Sequence, residues 1–127
     1  MKVLLSIKPE YADRIFSGEK KFEFRKALFK NSNVKTVVIY ATMPVGKVVG
    51  EFEIDEIIKE RPTKLWKITS EFAGITKAFF ESYFYGREAG YAIGVKKATR
   101  YEKPLDLKAF LPGGVPPQSF CYLTVPS

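Results

Sequence analysis

The chain has 127 residues, of which 46% are hydrophobic, and a formal net charge of +7. These values fit one domain, residues 1–127, with a single core, and they exclude a disordered or low-complexity segment. The sequence contains no histidine and one cysteine. An ordinary zinc site, an imidazole-based catalytic triad and an internal disulfide are therefore excluded. We expect no metal and no cofactor, and we expect Cys121 to be a small buried hydrophobic residue.

The excess of Lys and Arg favours an anionic partner, because clusters of these residues release counterions when they neutralise phosphates. Solvated surface lysines would give the same charge, so the sign alone does not identify a ligand. The apolar run that follows Met1 is shorter than a signal peptide requires, and no later stretch is long and uncharged enough to span a bilayer. We therefore expect a cytoplasmic protein with no membrane partner.

The first half of the chain predicts strands around one short helix. Residues 2–7 are rich in Val, Leu and Ile, and Pro9 opens a helix that Gly18 ends. Further strands are expected at residues 20–25, 34–41 and 48–58. The last of these alternates with period two, so Phe52 belongs to a buried face and Glu51 to a solvated one.

The second half predicts a pair of short helices between further strands. Apolar residues recur at helical spacing from about Pro62 to Tyr85, with a break at Gly74. A strand at 89–98, a helical turn at 104–110 and a closing strand at 120–125 are expected next. Several strands with an early helix and a helical excursion indicate an α+β domain whose mixed or antiparallel sheet curls towards a barrel.

The segment from Gly18 to Arg25 carries the most specific pattern, G-x-K-x-x-E-x-R. Strand alternation places Phe22 and Phe24 on one face, where they are expected to pack in the core. Lys20 is drawn inwards with them, unless the turn at Gly18 or its long stem brings the amine to the other side.

The opposite face of this segment pairs Glu23 with Arg25. A carboxylate flanked by cations can be clamped in place and leave the guanidinium rigid for a phosphate or a base edge. From the spacing alone, an exposed ion-pair ladder of little energetic value is the alternative.

The motif and its surroundings resemble the ASCH domain, a branch of the PUA-like superfamily. The similarity extends over most of the chain and includes Ser6–Pro9, Ile39–Thr42, Pro44–Gly46, Val49–Phe52 and Pro116–Phe120. It implies a small β-barrel flanked by short helices, with a cleft lined by the Gly-x-Lys motif, and a theme of binding RNA or nucleotides. Relatives look like RNA-processing factors, regulatory modules of transcription or translation, ribonucleases, or amidohydrolases of a modified cytidine. Lys20 matches the lysine implicated in the amidohydrolase branch, whereas Glu23 replaces the threonine found there.

These observations predict an RNA- or nucleotide-binding module. The expected ligand-binding residues are Lys8, Lys20, Glu23, Arg25, Thr42, Gln118 and Ser119. For those outside the motif, a solvated lysine or an ordinary polar turn is an alternative interpretation. Tyr11 could stack on a base, as could Tyr40 and Trp66, although core packing is expected for the last two.

Two other functions stay open. The first is a hydrolase of RNA or of a modified nucleoside, with Lys20 as a nucleophile or base of lowered pKa and Glu23 as its acid/base partner. Glu23 would stabilise the charged ammonium, whereas Lys21 and Arg25 would favour the neutral amine. The second is a protein-interaction adaptor, if the aromatic helices between about residues 66 and 84 expose an apolar patch.

Overall fold

Strands and short helices succeed one another along residues 1–123, the part of the chain that the computed structural model describes. The elements are β1 (Lys2–Ile7), α1 (Pro9–Ser17), β2 (Phe22–Arg25), β3 (Thr36–Ala41), β4 (Lys47–Glu60), α2 (Pro62–Thr69), α3 (Lys77–Tyr83), β5 (Gly90–Leu105) and β6 (Phe120–Leu123). Single 3₁₀ turns lie at Ser70–Phe72 and Leu107–Ala109. The expected α+β class is confirmed. None of the helices in this part of the chain has the length and hydropathy of a membrane span.

The strands form one mixed sheet in the order β2-β5-β4-β3-β1-β6. β1 and β3 are parallel, and every other neighbouring pair is antiparallel. The pairing of β4 with β5 shifts register at several points along these two long strands. Such irregularities bend and twist a sheet, and this one curls into a half-barrel with β2 and β6 at its two edges.

The sheet buries apolar residues on both faces. Alternate residues of β1 point to opposite sides, so Leu5 joins the cluster beneath α1 while Leu4 packs with Val38 and Leu107. A third cluster lies where α2 and α3 cover β2, and there Phe24 contacts the ring of Phe80 at a centroid distance of 5.1 Å. The two predicted helices are therefore present, and their apolar faces close one end of the half-barrel.

Several sequence-based boundaries are wrong. β2 begins at Phe22 rather than at residue 20, because the N–H groups of Lys20 and Lys21 donate outside the sheet to carbonyls of Arg14 and Phe72. The strand expected at 34–41 begins at Thr36, and the strand expected at 48–58 extends to both sides as β4.

The end of the chain also differs from expectation. Residues 104–105 belong to β5 instead of a helical turn, because pairing with β4 continues as far as Leu105 opposite Val48. Cys121 lies half-buried on the edge strand β6, so the expectation of a buried cysteine is wrong. Residues 124 and 125 of the expected closing strand lie outside the described residues.

Two glycines set the path of the chain around Lys20. Gly18 ends α1 with φ +88°, as predicted, and its N–H donates to the carbonyl of Ile15. Gly74 interrupts the α2–α3 region with φ +66° and lies directly against the stem of Lys20. A Cβ at position 74 would be 2.6 Å from the Lys20 Cγ. Glycine is therefore required here both because a side chain would clash with Lys20 and because the backbone has a positive φ.

We expect Gly74→Ala to lower the free energy of unfolding by about 3 kcal/mol, through left-handed backbone strain plus overpacking against Lys20. Urea denaturation followed by far-ultraviolet circular dichroism measures the change. Gly86→Ala is the matched control, because Gly86 has φ +76° but no atom within 4 Å of an added Cβ. The control should lose only about 1 kcal/mol. Equal losses in both variants would contradict the proposed packing of residue 74 on Lys20.

Candidate functional site

The guanidinium of Arg25 joins the edge strand β2 to the opposite end of the sheet. Its Nη2 donates to the backbone carbonyl of Ser6 in β1 at 2.8 Å, and its Nη1 donates to the carbonyl of Ser119 at 3.3 Å. Ser119 directly precedes β6, and the Ser6 hydroxyl also donates to the carbonyl of Pro117 at 2.9 Å. These contacts cross the gap between the sheet edges and form one wall of a pocket.

Glu23 is fixed by the same guanidinium. One carboxylate oxygen, Oε2, accepts from Arg25 Nε at 3.1 Å and lies 2.9 Å from Nη2. The other oxygen, Oε1, makes no hydrogen bond within residues 1–123. It is not completely buried, so it is accessible from the pocket side. The clamp thus orients Glu23 and leaves one oxygen available as a hydrogen-bond acceptor.

Lys20 is the largest side chain that the fold buries almost completely, with 1% of its surface exposed. Its Nζ donates to the carbonyl of Ala73 at 2.9 Å and lies 4.7 Å from the centre of the Phe24 ring. The Tyr11 ring is on another side, at 5.6 Å. Lys20 therefore points inwards with Phe24, as expected, and it lines the same pocket as Glu23.

Burial lowers the pKa of Lys20 from 10.5 to about 8, because an ammonium loses solvation when it leaves water. The positive charges of Arg14 and Arg25 lower this pKa further, whereas the carboxylate of Glu23 raises it. Desolvation is the largest of these effects. The neutral amine is therefore more accessible near neutral pH in Lys20 than in an exposed lysine.

The pocket has a volume of about 160 Å³ and lies between the end of β1, α1, β2 and α3. Its lining residues are Ser6, Ile7, Lys8, Tyr11, Lys20, Glu23, Phe24, Arg25, Ile75, Phe79 and Tyr83. Phe79 and Tyr83 stack with an interplanar angle of 11°, and the Lys8 Nζ lies 5.5 Å from the Phe79 ring. The pocket thus combines an amine, a clamped carboxylate and flat aromatic walls.

Four of the seven predicted binding residues, Lys8, Lys20, Glu23 and Arg25, meet in this pocket. Ser119 lies at its edge, where its backbone carbonyl holds Arg25 while its side chain is exposed. Thr42 and Gln118 do not line the pocket. Thr42 is half-buried and donates its N–H to the Ile7 carbonyl, and Gln118 is exposed in the loop before β6.

Sequence reasoning missed the wall that α3 contributes. Phe79 and Tyr83 are four residues apart and so share one face of a helix, a spacing that could have identified them as a pair. It also missed the Ala73 carbonyl that receives the Lys20 amine. Tyr40 is buried at 7% exposure, which confirms its expected core role, while Tyr11 lines the pocket. No three acidic or cysteine side chains of residues 1–123 are close enough together to hold a metal ion.

Comparison with known proteins shows which sequences and structures this chain resembles. The chain is 32% identical over 109 residues to the large ribosomal subunit protein uL22 of Ureaplasma parvum, covering 85% of this chain and 35% of that protein. It therefore spans about a third of the length of that relative. It is 29% identical over 125 residues to an ASCH domain-containing ribonuclease of Zymomonas mobilis, covering 96% of this chain and 84% of the relative.

The crystal structure of ASCH from Zymomonas mobilis superposes with a TM-score of 0.89 at 28% identity, over 97% of this chain and 87% of that one. A model of the ASCH domain family matches residues 5–104, which include β2, β3 and β4, all of β5 except Leu105, and the second half of β1. With the sequence match and the whole fold in agreement, this chain belongs to the ASCH domain family.

Proposed function

We propose that this chain binds RNA and accepts one nucleotide of the strand in the pocket that contains Lys20 and Glu23. The observation that carries the proposal is that the buried Lys20 and a clamped carboxylate with one free oxygen line the same pocket. An unpaired base offers both donors and acceptors on its edge, so an ammonium and a carboxylate oxygen together can recognise it.

The aromatic walls support this assignment. Bases of single-stranded RNA stack on aromatic side chains, and Tyr11 and Phe79 present such surfaces to the pocket. Lys8 is the residue directly before α1, and its ammonium lies over the rings of Tyr11 and Phe79, where it can meet a phosphate. The net charge of +7 favours a polyanionic partner in the same way.

The comparisons support RNA as the ligand class. The relative that matches nearly the whole chain is named a ribonuclease, and the pocket lies within the segment that the family model covers. An RNA-related activity is thus consistent with the family as well as with the chemistry of the pocket.

We expect Lys20→Met to weaken binding of single-stranded RNA by about 10-fold to 100-fold, the value of one charge-assisted hydrogen bond. Methionine keeps an unbranched stem for the buried position and removes the ammonium. Fluorescence anisotropy with a labelled oligonucleotide at low salt gives the affinity. Lys21→Met is the matched control, because Lys21 is the exposed neighbour whose amine lies over Phe72, away from the pocket.

The control removes the same charge, so a general electrostatic contribution would weaken both variants equally. Equal affinities of wild type, Lys20→Met and Lys21→Met would contradict recognition by the pocket. Circular dichroism shows whether each variant is folded. Arg25→Ala is a poorer probe, since loss of this guanidinium also removes the contacts that join the sheet edges.

A second function, cleavage of the bound RNA, is favoured by the pKa of Lys20 near 8. In this reaction the neutral amine accepts the proton of a ribose 2′-hydroxyl, and the resulting oxygen attacks the adjacent phosphorus. The bond to the 5′-oxygen then breaks, this oxygen takes a proton from water, and the Lys20 ammonium returns its proton to the hydroxide that remains. The products are a 2′,3′-cyclic phosphate and a 5′-hydroxyl end, so the step balances without a further reactant.

Cleavage at saturating RNA should rise about tenfold per pH unit below pH 8 and level off above it, because the amine must lose its proton to act as the base. Gel analysis of a labelled oligonucleotide between pH 6 and 9.5 measures the profile. Lys20→Met should abolish the activity, and a substrate with 2′-O-methyl groups should stay intact. A rate that falls through pH 8 would instead require the ammonium form and would contradict the base role.

A further inference from the structure

A second concave surface lies on the other side of α3 from the site pocket. This groove has a volume of about 630 Å³ and is formed by α2, α3 and the turn that follows α3. Phe79 and Tyr83 of α3 face the site pocket, whereas Lys77 and Glu81 face the groove. At 100° per residue these are different faces of one helix, so the two cavities are separated by about 10 Å, the width of a helix.

Trp66 provides an aromatic surface in the groove. It is half-buried, and its ring lies 5.0 Å from that of Phe80 at an interplanar angle of 50°. Phe80 is itself buried, so the indole packs against the core while it also lines the groove. The packing holds Trp66 in place and leaves a surface on which a flat ring can stack.

The rim of the groove carries an excess of positive charge. Its cations are Arg61, Lys67, Lys77 and Arg87, and its acidic residues are Glu81 and Glu88. All six side chains are exposed. Among residues 1–123, none of the four cations forms a salt bridge. These charges are therefore available to an anionic ligand.

From this arrangement we infer that the groove binds a second segment of the same single-stranded RNA, which crosses α3 from the site pocket. The inference rests on the proposed function. A single strand combines stackable bases with a phosphate backbone, and the groove offers an aromatic surface within a basic rim. A peptide of acidic residues alone would use the cations but would have no flat rings to place on Trp66.

The chain contains one tryptophan, so its fluorescence reports directly on this groove. We expect a ten-nucleotide single-stranded RNA to quench Trp66 fluorescence on binding to the wild-type protein. The double variant Lys67→Gln/Lys77→Gln should bind this RNA about tenfold more weakly. Its slope of log affinity against log salt should also decrease by about 1.4, which is 0.7 for each lost phosphate contact.

Lys96→Gln/Lys97→Gln is the matched control, because it removes the same two charges from exposed positions of β5 that do not line the groove. This control should retain the affinity and the quenching of the wild-type protein. A mononucleotide, which is too small to occupy both cavities, should bind the wild-type protein and the groove variant equally.

The possible failures are distinguishable. If the decamer binds with no change in Trp66 fluorescence, or binds the groove variant as tightly as the control, the groove is not part of the RNA path. In that case the pocket proposal still stands on the comparison of Lys20→Met with Lys21→Met. If no RNA binds at all, both proposals fall. Quenching by an acidic decapeptide but not by RNA would identify a peptide site and would overturn this inference.

Discussion

The contacts of Arg25 are the constraint on which the rest of the site depends. The sheet order separates β2 from β1 by three intervening strands, so no backbone ladder joins them. One guanidinium makes this connection through the carbonyls of Ser6 and Ser119 while it also clamps Glu23. The planar fork of donors on arginine suits this task, and lysine could not replace it. Because this ion pair is only 13% and 10% exposed, removal of either partner would leave a poorly solvated charge.

The contacts of Lys20 with Ala73, Gly74 and Phe24 create the environment that lowers its pKa. Burial of a charged amine normally costs free energy, and Lys20 is only 1% exposed. Its amine donates a hydrogen bond to a single carbonyl, that of Ala73. The same burial that disfavours the charged form lowers its pKa to about 8. Packing and chemistry are therefore linked, since the contacts that exclude water from the Lys20 stem also prepare its amine to exchange a proton.

The short helix α3 serves several environments at once. Phe80 packs with Phe24 in the core, and Phe79 and Tyr83 form a wall of the site pocket. Lys77 lies on the rim of the second groove. A change in the position of this helix would thus alter the core and both cavities together. The apolar spacing in the sequence identified the helix but did not show how the fold divides its residues among three surfaces.

The sequence by itself determined the α+β class, β1, α1 with its glycine cap, and the motif that supplies Lys20, Glu23 and Arg25. These features depend on local periodicity, turn chemistry and residue identity within a few positions. Only the tertiary structure decided where β5 ends, how exposed Cys121 is, and what surrounds the motif. The Lys20 amine meets a carbonyl 53 residues away, and Arg25 meets one 94 residues away. Contacts at such separations follow from the packing of elements against one another, which no local pattern encodes.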